Sequence, residues 1–248
     1  MLEVESLTTK MLTGKIKKFI TKEISGWSKL EVGILIFSVV MVLTSSIIMH
    51  DRKLAIISAV CGILYTIIAG KGKISAFIFG IIGTLACALL SFQVALYGNF
   101  ALHLFYFFPM EIIGIINWKK HLHKEKREII KTKLQKSELF ILIAIGCVIE
   151  GIIYFVLNKV GDIASLEDSL MCTLSLLGMY LTVKRCIEQW CIWTIANFLS
   201  IAIWFSAYQA GNAVFSVLLV RIIYFFLGIY FFIKWHKAIK ETIETSKN

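Results

Sequence analysis

The sequence predicts an all-α integral membrane protein with eight transmembrane helices. Three observations lead there. The 248 residues are 58% hydrophobic and 17% charged, whereas soluble domains are roughly 45–50% apolar and about 25% charged. The apolar residues gather into eight runs, most of them 17–23 residues long. At about 1.5 Å per residue, such a run crosses a hydrocarbon core of about 30 Å. The cations, finally, are sorted by loop, as a membrane topology requires. With one proline and 16 glycines the chain is neither fibrous nor disordered, and no soluble sphere of this size hides so much apolar side chain.

The runs are Val32–Met49, Leu54–Gly70, Ile74–Leu96, Ala101–Trp118, Leu139–Leu157, Ser169–Val183, Trp190–Tyr208 and Ala213–Ile233. The sixth is the shortest and is expected to begin near Ala164. Lipid offers the backbone no hydrogen-bond partners, so a spanning segment is a helix or a barrel strand. Barrel strands are about ten residues long and alternate polar with apolar, unlike these runs. Ahead of the first run, Ile16, Phe19, Ile20, Ile24 and Trp27 recur at helical spacing among lysines. That pattern suits either a helix lying on an anionic leaflet or an unstructured basic tail. A charged stretch precedes the apolar run and no small-residue cleavage site follows it, which argues against a signal peptide.

With eight spans, the N-terminus, loops 2–3, 4–5 and 6–7 and the C-terminus share one side. They hold 22 of the 26 Lys and Arg; the opposite loops hold three, and Arg221 lies inside a span. The positive-inside rule then sets both termini in the cytoplasm. It also explains the +10 net charge as topology and removes nucleic acid as a partner. The six cysteines form no C-x-x-C pair and have no zinc-ligand spacing, so they read as small buried hydrophobes.

An internal repeat sets the expected domain plan. A shift of 113 residues brings Lys71 onto Lys184, Phe92 onto Phe205, and Gly98-Asn99 onto Gly211-Asn212, without a gap. Both copies end in an aromatic and a basic cluster, at Trp118-Lys119-Lys120-His121 and Trp235-His236-Lys237. The copies lie four spans apart and so run in the same direction. The plan is a basic segment over 1–30, a peripheral helix over 31–50 and a three-helix repeat over 54–121. A basic loop and linking helix follow over 122–158, then a second repeat over 164–237 and a cytoplasmic tail over 238–248. Short uncharged turns are expected at Tyr97–Phe100 and Ala210–Asn212. Folds built from such halves hold substrate near the midplane, where the halves meet.

Span 7 carries the densest candidate site. Trp190, Trp193 and Asn197 fall at i, i+3 and i+7, on one helix face. Two indoles and, about 10 Å deeper, an amide suit a planar cationic ring. Interfacial anchoring for the tryptophans and helix–helix bonding for the asparagine are the plainer readings of each residue alone. Glu111, Glu150 and Arg221 are charges within spans, costly unless paired and so candidates for function. Glu111 near midplane suits a pyridinium or ribose hydroxyls; a structural pair of Arg221 with Glu150 or Glu111 is the alternative. Thr84 occupies the repeat position of Asn197. Gln189 and Tyr224, with Gln93 and Asn117, qualify by polarity and placement. Gly80, aligned with Trp193, would leave room opposite an indole. No H-E-x-x-H, G-x-S-x-G or phosphate loop is present, and no histidine has ligand spacing, so neither catalysis, metal nor cofactor is expected.

The W-x-x-W-x-x-x-N run at Trp190–Asn197 resembles the signature of the PnuC family of nicotinamide riboside transporters. Lys71-Gly72-Lys73-Ile74-Ser75 leading into Phe79-Gly80, Leu96-Tyr97-Gly98-Asn99 and Phe107–Gly114 resemble that family too, over roughly Leu54 to Lys237. The resemblance implies the full-length SWEET-like plan of two parallel three-helix repeats joined by a linking helix. It implies facilitated diffusion of nicotinamide riboside across the cell inner membrane by a non-enzyme, with trapping by a cytoplasmic riboside kinase, and it admits a homotrimer. The chain departs from the family's commoner residues at Glu111 and at Gly83. Another vitamin, thiamine or riboflavin, and a membrane sensor that binds without transporting are the readings left beside it.

Overall fold

The structure, a computed structural model, describes residues 26–123, 128–162, 164–211 and 215–245. The lysine-rich stretch carrying Ile16 to Ile24 therefore lies outside the described residues. The chain divides into two units, Met1–Phe37 and Ser38–Asn248. In the first, Ser28 and Glu31 form a reciprocal capping box: Ser28 N–H donates to Glu31 Oε2 at 2.7 Å and Glu31 N–H to Ser28 Oγ at 3.2 Å.

Eight membrane-length helices occur among the described residues: α1 Lys29–Ile48, α2 Lys53–Gly70, α3 Ala76–Gln93 and α4 Tyr97–Lys120, then α5 Lys136–Lys159, α6 Ser165–Val183, α7 Glu188–Gln209 and α8 Phe215–Thr245. Each predicted run is one helix, with ends displaced by a turn or less, except that α8 continues well past Ile233. One expected turn is displaced. Tyr97–Phe100 is already the start of α4, and the chain reverses at Val94–Leu96, where Ala95 adopts φ +60°.

The one proline shapes α4. Pro109 has no N–H, and its ring crowds the carbonyl four residues earlier. The preceding turn widens to π geometry over His103–Phe107, closed by Phe108 N–H to the His103 carbonyl. His103 and Phe107 of this turn and Glu111 beyond it all face the same interior space.

Within the second unit, six helices close a ring: α2 packs on α3, α3 on α4, α4 on α6, α6 on α7, α7 on α8, and α8 back on α2. Helix α5 stands outside and packs on α6. There Glu150 accepts hydrogen bonds from Ser169 (2.6 Å) and Thr173 (2.8 Å), so its charge is met by α6 and not by Arg221. The other faces of α5 expose Phe140, Val148, Ile152 and Phe155, as a lipid-facing helix must.

One end of the ring gathers the cationic loops. Helices α2 and α6 finish with the same cap. Lys73 N–H reaches back to the Ile68 carbonyl, and Cys186 N–H to the Leu181 carbonyl. The left-handed residue is Gly72 (φ +70°) in one and Arg185 (φ +64°) in the other, 113 positions apart. The segment from Ile129 to Leu134 crosses between them. Ile129 N–H donates to the Gly72 carbonyl, Thr132 N–H to that of Arg185, and Arg185 Nη1 to that of Ile130 (2.8 Å). Burial at this end lowers the pKa of Lys71, with Glu128 opposing, and also that of Arg185. Two tryptophans tie these helices together: Trp118 of α4 donates to the Thr182 carbonyl of α6 (2.9 Å), and Trp235 of α8 to the Gly70 carbonyl of α2 (2.7 Å). The Gly70 carbonyl has no backbone donor, so Trp235 satisfies it; the Thr182 carbonyl accepts from the Arg185 N–H as well as from Trp118.

Candidate functional site

The six-helix ring encloses a cavity of about 410 Å³, within the range of small-molecule sites, about 300–1,000 Å³. It starts at the far end, where Ser46, Asp51 and Ser216 line it, and runs to Thr182 and Gln189 near the basic end. Below that level, buried rings fill the bundle. Phe77 meets Trp118 edge to face at 4.9 Å, and Trp190 packs on Phe231 (5.2 Å) and Trp235 (5.6 Å).

Of the side chains singled out in the sequence, Thr84, Glu111, Gln189, Trp190, Trp193, Asn197, Tyr224 and Arg221 line this one cavity, and Glu150 does not. The lining residues come from α3, α4, α7 and α8, and closure of the ring brings them together. Thr84 Oγ1 donates to Glu111 Oε1 at 2.8 Å, while Glu111 Oε2 is buried without a hydrogen-bond partner. Trp193 Nε1 donates to Thr182 Oγ1 at 3.2 Å, which fixes the indole plane across the cavity wall. Asn197 Nδ2 donates to the Trp193 carbonyl at 2.7 Å. Gln189 Nε2 donates to the Cys186 carbonyl at 2.9 Å. Trp190 Nε1 and Arg221 Nε are buried without partners on the same wall. Such orphaned groups carry a desolvation cost of about 1–3 kcal/mol each, which a polar ligand offsets.

Small residues make room for the large ones. A Cβ at Gly178 would stand 2.8 Å from the Trp193 ring. A Cβ at Gly80 would stand 2.8 Å from Glu111 Oε1 and 2.9 Å from Tyr65. The expectation that Gly80 faces an indole is therefore corrected: Gly80 makes room for Tyr65 and Glu111, and Gly178 for Trp193. The anticipated pair of Arg221 with Glu111 or Glu150 does not form among the described residues, because Thr84 engages Glu111 and α6 engages Glu150. Asn117 is a helix-end cap, donating to the Val183 carbonyl at 2.7 Å, and Gln93 is exposed. Neither lines the cavity.

Sequence reasoning missed Tyr65, Cys87, His103, Phe107 and Thr182 on the cavity wall. The signal for three of them was present. His103, Phe107 and Glu111 recur four apart on one helix, and Tyr65 stands 113 positions before Gly178, with the large and small partners exchanged between the two halves.

The family described as nicotinamide mononucleotide transporter matches residues 52–237. The chain is similar to the nicotinamide riboside transporter PnuC of Neisseria mucosa, 30% identical over 195 residues that cover 77% of this chain and 74% of that protein. It is similar to the protein of the same name from Haemophilus influenzae, 26% identical over 223 residues, covering 88% and 95%. Among solved structures it is similar to that of the vitamin B3 transporter PnuC, with a TM-score of 0.78, 28% identity, and coverage of 89% of this chain and 97% of that one. These relatives are transporters, not enzymes.

Proposed function

The chain belongs to this nicotinamide mononucleotide transporter family, and from that premise we propose that it carries nicotinamide riboside across the cell inner membrane. The observation that carries the reading is the pairing, in one cavity, of the Trp190 and Trp193 indoles with the half-unpartnered Glu111 carboxylate. A pyridinium ring over an indole gains about 0.5–2 kcal/mol, and a nearby carboxylate adds charge complementarity that a neutral ring would not use. Asn197, Thr84, Gln189 and Tyr224 supply hydrogen bonds to the carboxamide and ribose.

Transport in this reading is facilitated diffusion by alternating access. Helices α2–α4 and α6–α8 are two parallel repeats, α5 is the linker of the three-one-three plan, and α1 is peripheral. The matched caps at Gly72 and Arg185 and the crosswise tryptophan bonds support that assignment. With the basic end filled by aromatic rings, opening to the cytoplasm requires the Trp118–Thr182 and Trp235–Gly70 bonds to part. Both termini and the basic loops lie in the cytoplasm, as 22 of 26 cations on one side favour. A cytoplasmic riboside kinase would trap the product, and the proposal includes the family's homotrimer.

The test is a titration of purified protein with nicotinamide riboside, thiamine and riboflavin, read by tryptophan quenching and followed by flux into liposomes. Saturable quenching and flux with nicotinamide riboside alone are expected. A response to thiamine or riboflavin in its place would overturn the substrate, and binding without flux would make the protein a sensor.

A further inference from the structure

Arg221 plays no part in the reading above, yet a guanidinium inside a membrane span is expensive unless something answers its charge. It lines the cavity from α8, and its Nε is buried without a hydrogen-bond partner. No carboxylate among the described residues pairs with it: Thr84 engages Glu111, and Glu150 lies outside the ring. The groups able to carry a negative charge that interact with it are Tyr224, on the same helix, and Cys87 of α3. A phenol ordinarily ionises near pH 10 and a thiol at about 8.5, so Cys87 is the nearer of the two to an anion.

Donors converge on the sulfur of Cys87. Ser58 of α2, Ser91 of α3 and His103 of α4 are hydrogen-bonded to it, and Asn99 Nδ2 donates to it at 3.9 Å. The same amide donates to Ser91 Oγ at 2.6 Å, which leaves the Ser91 hydroxyl hydrogen for the sulfur. His103 Nδ1 lies 2.8 Å from the Asn99 carbonyl, and a carbonyl only accepts. Nδ1 therefore carries a proton, and Nε2 is free to take the thiol's. A neutral thiol is a weak acceptor, whereas a thiolate accepts several hydrogen bonds and is held by neighbouring Arg and His. Among the described residues Cys87 is the one cysteine that lines the cavity.

We propose that Cys87 is a thiolate, paired with a protonated His103 and answering the charge of Arg221, and that it is a modification site for small disulfides whose adduct closes the cavity. Cys87 Sγ attacks one sulfur of the disulfide and the S–S bond of the reagent breaks. A mixed disulfide forms, and the other half leaves as a thiolate that takes the proton from His103. Cys87 stands one turn, about 4.5 Å, beyond Thr84 on the same face of α3 and toward the far end. The adduct therefore sits between that end and the Thr84–Glu111 pair. This chemistry is independent of which ligand the cavity takes.

The test uses the full chain in detergent and bis(2-hydroxyethyl) disulfide, with the adduct at Cys87 followed by peptide mass. Between pH 6 and 8 the rate at Cys87 is expected to change by less than about threefold, whereas a thiol of pKa about 8.5 gains about 75-fold as its thiolate fraction rises. His103→Gln and Arg221→Gln should each restore a rising profile, and Arg221→Lys, which keeps the charge, should stay flat. Tyr224 of α8, Glu111 of α4, Cys61 of α2 and Asp51 at the far end are the other titratable groups around this pair. They are common to every protein compared, so the change on substituting one partner is the readout. If a variant fails to fold, the wild-type profile decides alone. In proteoliposomes the disulfide should abolish riboside flux in the wild type and dithiothreitol should restore it, while Cys87→Ser should show the same flux with and without the reagent. A rate at Cys87 that climbs with pH like an ordinary thiol's, no adduct at Cys87 in the folded protein, or undiminished flux once Cys87 is fully modified overturns the proposal. Absence of riboside flux before any treatment overturns the riboside reading instead, and the pH profile still decides the thiolate.

Discussion

The basic end of the bundle and the cavity wall use the two sets of three helices, α2–α4 and α6–α8, in opposite ways. At the basic end the two halves do the same thing twice. Gly72 and Arg185 adopt the same left-handed cap, and Trp118 and Trp235 each donate to the end of the first helix in the other half. In and behind the cavity wall the 113-residue shift pairs unlike residues: Tyr65 with Gly178, Gly80 with Trp193, Thr84 with Asn197 and Glu111 with Tyr224. Closing a ring of helices is a symmetric task, and similar residues solve it in both halves. Binding a molecule that has a ring at one end and a sugar at the other is not symmetric. On the proposed function, divergence between the two sets of helices would mark the wall that faces ligand, and likeness the scaffold.

The largest way to break that contrast is to empty the indole site. Trp193→Ala is expected to weaken riboside binding by more than about 100-fold, the scale of a buried aromatic anchor, while the protein still elutes as a folded species in detergent. Unchanged affinity in the quenching titration would remove the aromatic wall from the site. Gly178→Ala should produce a similar but smaller loss with Trp193 intact, because the new methyl displaces the indole it touches. If Gly178→Ala binds normally, the plane of Trp193 does not matter.

Glu111→Gln keeps the shape and the Thr84 contact but removes the charge. A loss of about tenfold or more in riboside affinity is expected, as for a charge-assisted contact, with little change for an uncharged analogue of the ring. Equal losses for both ligands would make Glu111 a structural group. On the scaffold side, Trp235→Phe leaves the Gly70 carbonyl unsatisfied, whereas after Trp118→Phe the Thr182 carbonyl still accepts from the Arg185 N–H. Trp235→Phe should lower thermal stability by about 1–3 kcal/mol, and Trp118→Phe by less; equal losses in the melting assay would show that the second donor to Thr182 contributes nothing. The smallest effect tests the caps. Gly72→Ala should cost about 1–2 kcal/mol through its left-handed φ and its contact with Ile129, whereas Arg185→Gly relieves strain while losing the bond to Ile130 and should come out near neutral in the same melting assay.

Much of this was legible in the chain. Spans, loop charge and the 113-residue shift follow from hydropathy and positive charge, because the bilayer penalises every unpaired backbone group and every misplaced cation. The W-x-x-W-x-x-x-N face and Glu111 were readable because polar and aromatic groups stand out against an apolar background. His103 was passed over because the sequence offers it no acidic partner, and its role depends on the π turn that Pro109 imposes on α4. Arg221 was read as half of an ion pair because charges at a distance in sequence carry no sign of which ones meet.

By itself, then, the sequence determined the number of helices, the sorting of the loops and the residue types able to meet a cationic ring, since each depends on composition along one helix. Which residues share a wall, that Gly178 and not Gly80 seats the indole, that Thr84 engages Glu111 and that Arg221 is left unpaired were decided only when the ring closed. Those facts depend on the rotation of one helix about its axis relative to the next, and that rotation is set by packing between segments far apart in the chain.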